Sequence, residues 1–285
     1  MSLRALAVLS RPQRLAPVWS GALAGACLAP SGATPALIAA VALALSLAHL
    51  GGAALNDAYD APLDALLRPR RPIPSGQLPR DAALALGYGA LAAFVLAAAF
   101  LALPLGARGG GAAAGVALVL AGTVVLYDTS HEGNPAAPAL LAVCRGLVYV
   151  TASVVVSGRL SGAPAVGAAV LASYSVGLST VCDREDGGAR LWPLLLLFSP
   201  FLATANLLAG SPAQACLWFC ALAWVARGAM RLLQRDFSGA WRSLFAAMPL
   251  VDALLIGQGG FRPAVWVAVA AFPLTYWVLG LDPES

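Results

Sequence analysis

Long apolar segments separated by short polar joints run from about residue 13 to residue 280. A membrane-spanning helix needs about 20 mostly apolar residues. The pattern therefore predicts an all-α fold, a polytopic membrane bundle of nine to ten transmembrane helices. The predicted segments are 13–30, 35–55, 82–104, 112–127, 137–157, 163–181, 191–209, 212–233, 242–258 and 263–280, of which 112–127 and 242–258 are short for a span.

The joints between these segments alternate in character along the chain. Four are tight and rich in Gly, Pro and Ser (PSGAT, LGARGGG, SGRLSGAP and AGSPAQ), and the others are long or charged. The arginine-rich face, with the N-terminus, is expected to be cytoplasmic, because positive charge is retained on that side. On this face lie Arg4, Arg11, Arg14, Arg68, Arg70, Arg71, Arg80, Arg184, Arg190, Arg231, Arg235 and Arg242; on the other lie Arg108, Arg159 and Arg262.

Composition indicates an integral, multi-pass membrane protein, and the expected location is a bacterial inner membrane. The chain of 285 residues is 60% hydrophobic and 11% charged, whereas soluble domains are about 25% charged. The net charge of +4 does not indicate a nucleic-acid partner, since the sequence shows no contiguous basic patch with base-reading elements. The five cysteines lack CxxC spacing, which argues against a disulfide framework or a zinc site. The expected surroundings are the lipid bilayer.

The densest charge lies in NDAYDAPLDALLRPRRPIPSG, directly after the second apolar segment. Asp57, Asp60 and Asp64 share one side of a continuous helix. A carboxylate inside a membrane costs about 2.5–3.5 kcal/mol at the helix centre, so a compensating cation is expected. Ligands that are all oxygen favour Mg²⁺. Pro62 cannot donate to the carbonyl of Ala58, so Asp60 is expected to cap a new turn, with Asp64 offset.

Three arginines follow the aspartates directly. The guanidinium groups of Arg68, Arg70 and Arg71 match the geometry of phosphate oxygens, and prolines at 69, 72 and 74 stiffen the segment. A positive-inside loop would explain the arginines alone. Together with the carboxylates, they indicate a site for a metal ion and an anion.

These motifs resemble a known family. NDAYDAPLD matches the NDxxDxxxD signature of the UbiA superfamily of intramembrane prenyltransferases, and RPRRPIPSGQL matches the segment that follows it there. YDTSHEGNPAAPALLAVCRGLVYV and WRSLFAAMPLVDALL look most like the EboC-like branch. The resemblance covers nearly the whole chain. Residues 1–285 are thus expected to form one domain of two pseudo-repeated helical units, about 13–127 and 137–258, around a central cavity, with an extra C-terminal helix at 263–280.

The resemblance implies a Mg²⁺-dependent transfer of a prenyl group from a polyprenyl diphosphate to a small or lipophilic acceptor, with release of diphosphate. Metal ions would be bound by Asn56, Asp57, Asp60 and Asp64 and, in a second motif, by Asp183 and Asp186. Substrate would be bound by Asn56, Arg68, Arg71, Tyr127, Arg145 and Arg184. The residues expected to act in catalysis are Asp57, Asp60 and Tyr127.

The second acidic motif, DREDGGAR, departs from the family pattern. Its aspartates, Asp183 and Asp186, are three residues apart, whereas the family usually spaces them by four. One metal ion could suffice, Arg184 or Arg190 could replace a cation, turnover could be lost, or the segment could be a charged interhelical loop. The irregular motif leaves a second hypothesis open, a non-catalytic isoprenoid-lipid binding or transport component.

Five further polar residues stand in apolar surroundings. Tyr127 could donate to a phosphate, face an allylic cation or sit in an aromatic belt at the membrane surface. His131 lies near the position where the family often has lysine, and is expected to be an interfacial polar residue. Arg145 is expected to face the cavity or a carboxylate, because an unpaired arginine inside a span is costly. Asp252 has either a packing or a substrate role, and His49 is expected to pack.

Overall fold

The structure is a computed structural model that describes residues 8–182, 192–260 and 262–280. Within these ranges every regular element is helical, and seven helical segments are long and apolar enough to cross a membrane. The all-α membrane bundle is therefore confirmed. Its α-helices are α1 Leu15–Leu28, α2 Pro35–Tyr59, α3 Ala61–Leu67, α4 Arg80–Leu101, α5 Ala107–Ser130, α6 Ala137–Ser157, α7 Gly162–Cys182, α8 Trp192–Leu196, α9 Ser199–Ala203, α10 Pro212–Leu233, α11 Phe237–Ala246, α12 Met248–Gly257 and α13 Pro263–Leu279.

Helix ends follow local signals closely in several places. The predicted segments 137–157 and 212–233 coincide with α6 and α10. Helix α10 begins at a capping box, in which Ser211 accepts from the backbone of Gln214 and the Gln214 side chain accepts from the backbone of Ser211. Helix α1 is shorter than expected and ends at Leu28, because Ala29 precedes Pro30 and takes an extended conformation.

Helix α5 is longer than the pattern indicated. The segment LGARGGG was interpreted as a joint, but only Gly106 turns the chain there, at φ 84°. The glycines that follow are helical. A Cβ added at Gly109 would lie 2.6 Å from Cβ of Leu105, so glycine at this position permits close packing against the preceding turn.

Two predicted spans are interrupted in the structure. Within 192–209 the chain forms α8, α9 and a 3₁₀ turn at Ala205–Ala209 instead of one helix. Pro193 and Pro200 lie in the first turns of α8 and α9, and proline cannot donate the backbone hydrogen bond of a helix interior. The span predicted at 242–258 begins earlier, at Phe237, and divides at Ala247 into α11 and α12. The count of nine to ten spans is therefore approximate.

Contacts between loops show which ones meet at each end of the bundle. At one end, Arg11 donates to Asn56 at 3.0 Å, and Nε2 of His131 lies 3.2 Å from Asp60. At the other end, Ser31 donates to the carbonyl of Val156 at 3.3 Å. We call the first end, formed by residues 8–14, 60–79 and 131–136, the motif end. The long helices thus run alternately up and down.

Two hydrophobic clusters meet along α1 and α6. One contains Leu23 and Tyr149, and the other contains Ala22 and Ala152. A Cβ at Gly25 would lie 2.6 Å from the carbonyl oxygen of Tyr149, so the small residue lets the two backbones approach closely. The division into two pseudo-repeated units stays a prediction.

The chain bends between α2 and α3 because of Pro62. Helical hydrogen bonds continue around it, from the Asp60 N–H to Asn56 and from the Asp64 N–H to Asp60, both at 2.8 Å. Pro62 has no backbone N–H to donate to the carbonyl of Ala58. That carbonyl instead accepts a hydrogen bond from Nε of Arg80 at 2.8 Å. The side chain of Asp60 makes no capping hydrogen bond, so the expectation that it caps the new turn is wrong; the backbone remains helical through this residue.

Arg80→Met is expected to destabilise the protein by about 1.5–3 kcal/mol, the range of a hydrogen bond to a charged donor. In a Pro62→Ala background the cost should fall, because the backbone N–H that this substitution restores can donate to the Ala58 carbonyl. Unfolding in detergent would measure both, with exposed Arg70→Met as the control. An equal cost of Arg80→Met in the two backgrounds would contradict this account.

Candidate functional site

Asp57 and Asp64 face the same point despite the bend between their helices. Nη1 of Arg71 lies 2.7 Å from Oδ2 of Asp64 and 3.7 Å from Oδ1 of Asp57. Both carboxyl groups are buried, with 5% and 3% of the residue exposed. The spacing in the sequence therefore does bring these two carboxylates together.

Two further arginines form ion pairs with Asp57 and Asp64. Arg11 donates to Asn56 and forms an ion pair with Asp57, and Nη1 of Arg68 lies 3.6 Å from Oδ1 of Asp64. A buried carboxylate is costly unless it is paired, and here guanidinium groups provide the pairing. Arg11 was expected only to mark the cytoplasmic face; its contact with a residue 45 positions away is not visible in the sequence.

Asp60 points towards α5. Its Oδ1 lies 3.2 Å from Nε2 of His131, but among the described residues it has no partner with hydrogen-bond geometry. Burial raises the pKa of Asp60 above its usual range, and neighbouring His131 opposes that shift. The ring of His131 stacks on Tyr127, with centroids 5.0 Å apart. The histidine at the expected lysine position thus stands beside the first motif.

Asp128 belongs to the same site, although the sequence analysis did not select it. Its side chain lies beside Asn56, and only 4% of the residue is exposed. Its Oδ2 has no hydrogen-bond partner in the described part of the chain. This oxygen faces Gly52 of α2, where an added Cβ would lie 3.8 Å from it. The signal that could have identified it is an ionisable residue inside an apolar helix.

A central cavity of about 260 Å³ opens beside these groups. It is surrounded by seven helices and the chain before α1, and most of its wall is apolar. The polar residues that line it are Arg11, Arg14, His49, Asn56, Tyr127, Asp128, Cys144 and Arg145. The cavity predicted for the bundle is therefore present.

Arg145 lines the same cavity. Its Nη1 lies 2.8 Å from the sulfur of Met248, and its guanidinium lies 5.1 Å from the ring centroid of Phe245. The structure thus places it as the sequence predicted, towards the cavity. His49 also lines the wall, with Nε2 3.4 Å from the carbonyl oxygen of Arg11.

Asp252 does not line the cavity. Tyr149 donates to its Oδ1 at 2.5 Å, and Ser20 lies beside the same carboxyl group. Each of the three residues is at most 3% exposed. This buried network joins α1, α6 and α12, and it favours the packing role for Asp252 over a substrate role.

Tyr149→Phe is expected to lower the free energy of unfolding by about 1–3 kcal/mol, because it leaves a buried carboxyl group short of a donor. Tyr174→Phe is a matched control: its buried hydroxyl donates to the carbonyl of Leu244 at 2.6 Å, an uncharged acceptor. Unfolding in detergent should therefore show the larger loss for Tyr149→Phe. A larger loss for Tyr174→Phe would show that the carboxyl group does not depend on this donor.

The second motif lies outside the described residues. Asp183, Arg184, Asp186 and Arg190 fall in the gap after Cys182, and their predicted roles stay predictions. In the described part of the chain, no group of three or more His, Cys, Asp or Glu side chains forms a ready metal centre. The oxygens of the first motif nevertheless fit Mg²⁺, which keeps several waters and is held by one or two carboxylates plus substrate phosphates.

The chain resembles known proteins over most of its length. The model of the UbiA prenyltransferase family matches residues 18–251. Digeranylgeranylglyceryl phosphate synthase of Methanothrix thermoacetophila is 29% identical over 263 residues, 84% of this chain and 91% of that protein. Other relatives match over shorter parts, about a third of their own length or less. One is protoheme IX farnesyltransferase of Methylocella silvestris, 37% identical over 81 residues, 28% of this chain and 26% of that protein.

The fold resembles solved structures as well. A UbiA homologue from Aeropyrum pernix K1, determined in its apo form, superposes with a TM-score of 0.63 over 87% of this chain and 99% of that chain, at 20% identity. The family match covers both the first motif and the cavity-lining helices from α2 to α12. The chain therefore belongs to the UbiA prenyltransferase family, and it is a UbiA-type integral membrane prenyltransferase.

Proposed function

We propose that this chain transfers a prenyl group from a polyprenyl diphosphate to a small or lipophilic acceptor, with Mg²⁺ as cofactor. The observation that carries the proposal is the set of buried carboxylates interleaved with arginines at the motif end of the cavity. In the proposed orientation this end faces the cytoplasm of a bacterial inner membrane, since the arginine-rich loops are retained there.

The carboxylates would bind the metal and the arginines would bind the anion. Oxygens of Asn56, Asp57, Asp60 and Asp64 form the proposed first Mg²⁺ site, with Asp183 and Asp186 as the proposed second. Bound Mg²⁺ would neutralise charge that develops on the leaving diphosphate. The ion pairs at Asp57 and Asp64 support this division. If a metal ion took the place of the guanidinium groups beside these carboxylates, the freed guanidinium groups could donate to phosphate oxygens.

The arginine contacts define which residues would hold the diphosphate. Arg11 forms an ion pair with Asp57, and Arg71 forms one with Asp64. Arg68 lies at the exposed edge of the site. All three can donate to phosphate oxygens in the paired geometry that guanidinium groups favour. Arg184 is proposed to contribute from the second motif.

The transfer breaks the allylic C–O bond, and the electron pair leaves with the diphosphate. The acceptor forms the new bond to the allylic carbon and loses a proton. Tyr127, whose ring lines the cavity, is proposed to face the allylic carbon and stabilise its positive charge. The largely apolar wall would exclude water, which otherwise competes with the acceptor.

The test is release of diphosphate from labelled prenyl diphosphates by membranes that contain the full chain. Asp57→Ala combined with Asp60→Ala should abolish release, whereas exposed Asp81→Ala should leave it unchanged. Release that survives the double substitution would overturn the assigned site. Prenyl lipid that binds to the wild type and co-purifies without any product would favour the non-catalytic binding or transport component.

A further inference from the structure

Two buried carboxylate oxygens near the motif end lack a partner. Oδ1 of Asp60 and Oδ2 of Asp128 are shielded from solvent, and neither has a hydrogen-bond partner among the described residues. Asp128 is only 4% exposed and lines the central cavity. Buried side-chain oxygens are nearly always hydrogen-bonded, so an unpartnered one points to a group that the chain itself does not supply.

The two carboxylates are close enough to act on each other. Asp60 is the charged group that acts most strongly on Asp128, ahead of Arg11. Asn56, one turn before Asp60, also lies beside Asp128. Asp60 directly follows α2, and Asp128 lies in the last turn of α5. Like charges that approach each other inside a bundle repel, unless a cation or a proton neutralises them.

The arginines of the first motif pair with its other two carboxylates, Asp57 and Asp64. Within the described ranges, no arginine forms an ion pair with Asp60 or Asp128. His131 is the basic side chain beside Asp60, with Nε2 3.2 Å from Oδ1, and it is charged only when protonated. This side of the motif therefore lacks the fixed positive charge that neutralises the other side.

We propose that Asp60 and Asp128 together hold a divalent cation where the end of α2 meets α5. In proteins Mg²⁺ is usually held by one or two carboxylates, with waters and substrate phosphates as its other ligands, so two carboxylates are sufficient. Asp128 lies outside both acidic motifs and adds a ligand from a third segment of the chain. The assignment rests on the proposed function for the use of the ion, but its binding can be measured without substrate.

The test is a titration of the purified full chain in detergent with Mn²⁺, a paramagnetic substitute for Mg²⁺, in which electron paramagnetic resonance measures the free ion. Asp128→Asn and Asp60→Asn should each weaken the binding of one Mn²⁺ by at least about tenfold, because the ion loses a charged ligand. Asp252→Asn removes a similarly buried carboxyl group outside the cavity, and should leave binding unchanged.

Equal binding of Mn²⁺ by the wild type and Asp128→Asn, both with and without a prenyl thiodiphosphate, would overturn the assignment. A proton would then be the group that neutralises Asp128.

Thermal unfolding in detergent gives a readout that does not depend on counting ions. In EDTA, Asp128→Asn should unfold at or above the midpoint temperature of the wild type, because it removes a like charge from beside Asp60. Mg²⁺ should raise the midpoint of the wild type by more than that of the variant. Equal shifts in the two proteins would contradict a cation at Asp128.

The cation site and the proposed function can fail separately. If the wild type binds Mn²⁺ through Asp128 but binds no prenyl thiodiphosphate, the proposed function fails and the cation site stands. If Asp128→Asn binds the thiodiphosphate with the same dependence on Mg²⁺ as the wild type, the cation assignment fails and the proposed function stands.

Discussion

Asp57→Asn is expected to lower the rate of diphosphate release by about 10²–10³-fold, the size of effect seen when one group that stabilises developing transition-state charge is removed. Asparagine keeps the shape of the side chain but removes the charge that the metal requires. Asp57 lies at the centre of the proposed metal site, where both Arg11 and Arg71 approach it. Steady-state release of labelled diphosphate at saturating Mg²⁺ would measure the loss.

The matched control for this substitution is Asp81→Asn. Asp81 lies on the exposed first turn of α4, and the same chemical change there should leave the rate within about twofold, as for surface substitutions away from a site. A rate for Asp57→Asn within about threefold of the wild type would show that this carboxylate does not hold the metal. Normal folding of the variant, checked by its unfolding in detergent, keeps the comparison valid.

Arg71→Gln is expected to make the stability of the protein depend on Mg²⁺. Without divalent ions it should cost about 3 kcal/mol, because two buried carboxylates lose a shared cation. Mg²⁺ at about 100 times its dissociation constant should restore about 2.7 kcal/mol. The wild type should gain less from Mg²⁺, since the ion must first displace Arg71 from Asp64. Unfolding in detergent with EDTA or with Mg²⁺ would measure these differences.

The control for this experiment is Arg70→Gln, because Arg70 is exposed. It should change neither the stability nor the response to Mg²⁺. Equal stabilisation of Arg71→Gln and the wild type by Mg²⁺ would mean that the ion binds somewhere other than between Asp57 and Asp64. Stabilisation by Ca²⁺ and Mg²⁺ alike would weaken the assignment of magnesium as the cofactor, since the two ions differ in the coordination they require.

The sequence predicted those parts of the fold that depend on local signals. The first residue of helix α10 could be predicted from the sequence, because Ser211, Pro212 and Gln214 are typical of a helix start. The broken segment after residue 192 was missed, although Pro193 and Pro200 were visible, because apolar character outweighed the two proline positions. The glycine run at the start of α5 was misinterpreted as a joint, because packing of Gly109 against Leu105 is not visible in the sequence pattern.

The candidate site was predictable only in part for the same reason. The spacing of Asp57 and Asp64 predicted a shared face, and Arg71 joins them in the structure. Arg11 was not identified as a member of the site, because it is 46 residues from Asp57 and a contact of this kind leaves no local pattern. Asp128 was missed although it is an ionisable residue inside an apolar helix, because it is a single acid outside the two acidic motifs. The EboC-like branch and the acceptor likewise stay predictions.

The central claim is that the first motif binds a prenyl diphosphate together with Mg²⁺. Native mass spectrometry of the purified full chain, with a non-hydrolysable prenyl thiodiphosphate and with Mg²⁺ present or absent, tests it most directly. The expected spectrum of the wild type contains a complex with both thiodiphosphate and Mg²⁺, and the complex should disappear when Mg²⁺ is removed or when Asp57 and Asp60 are both replaced by asparagine. Equal binding of the thiodiphosphate without Mg²⁺, or by the double variant, would contradict the claim.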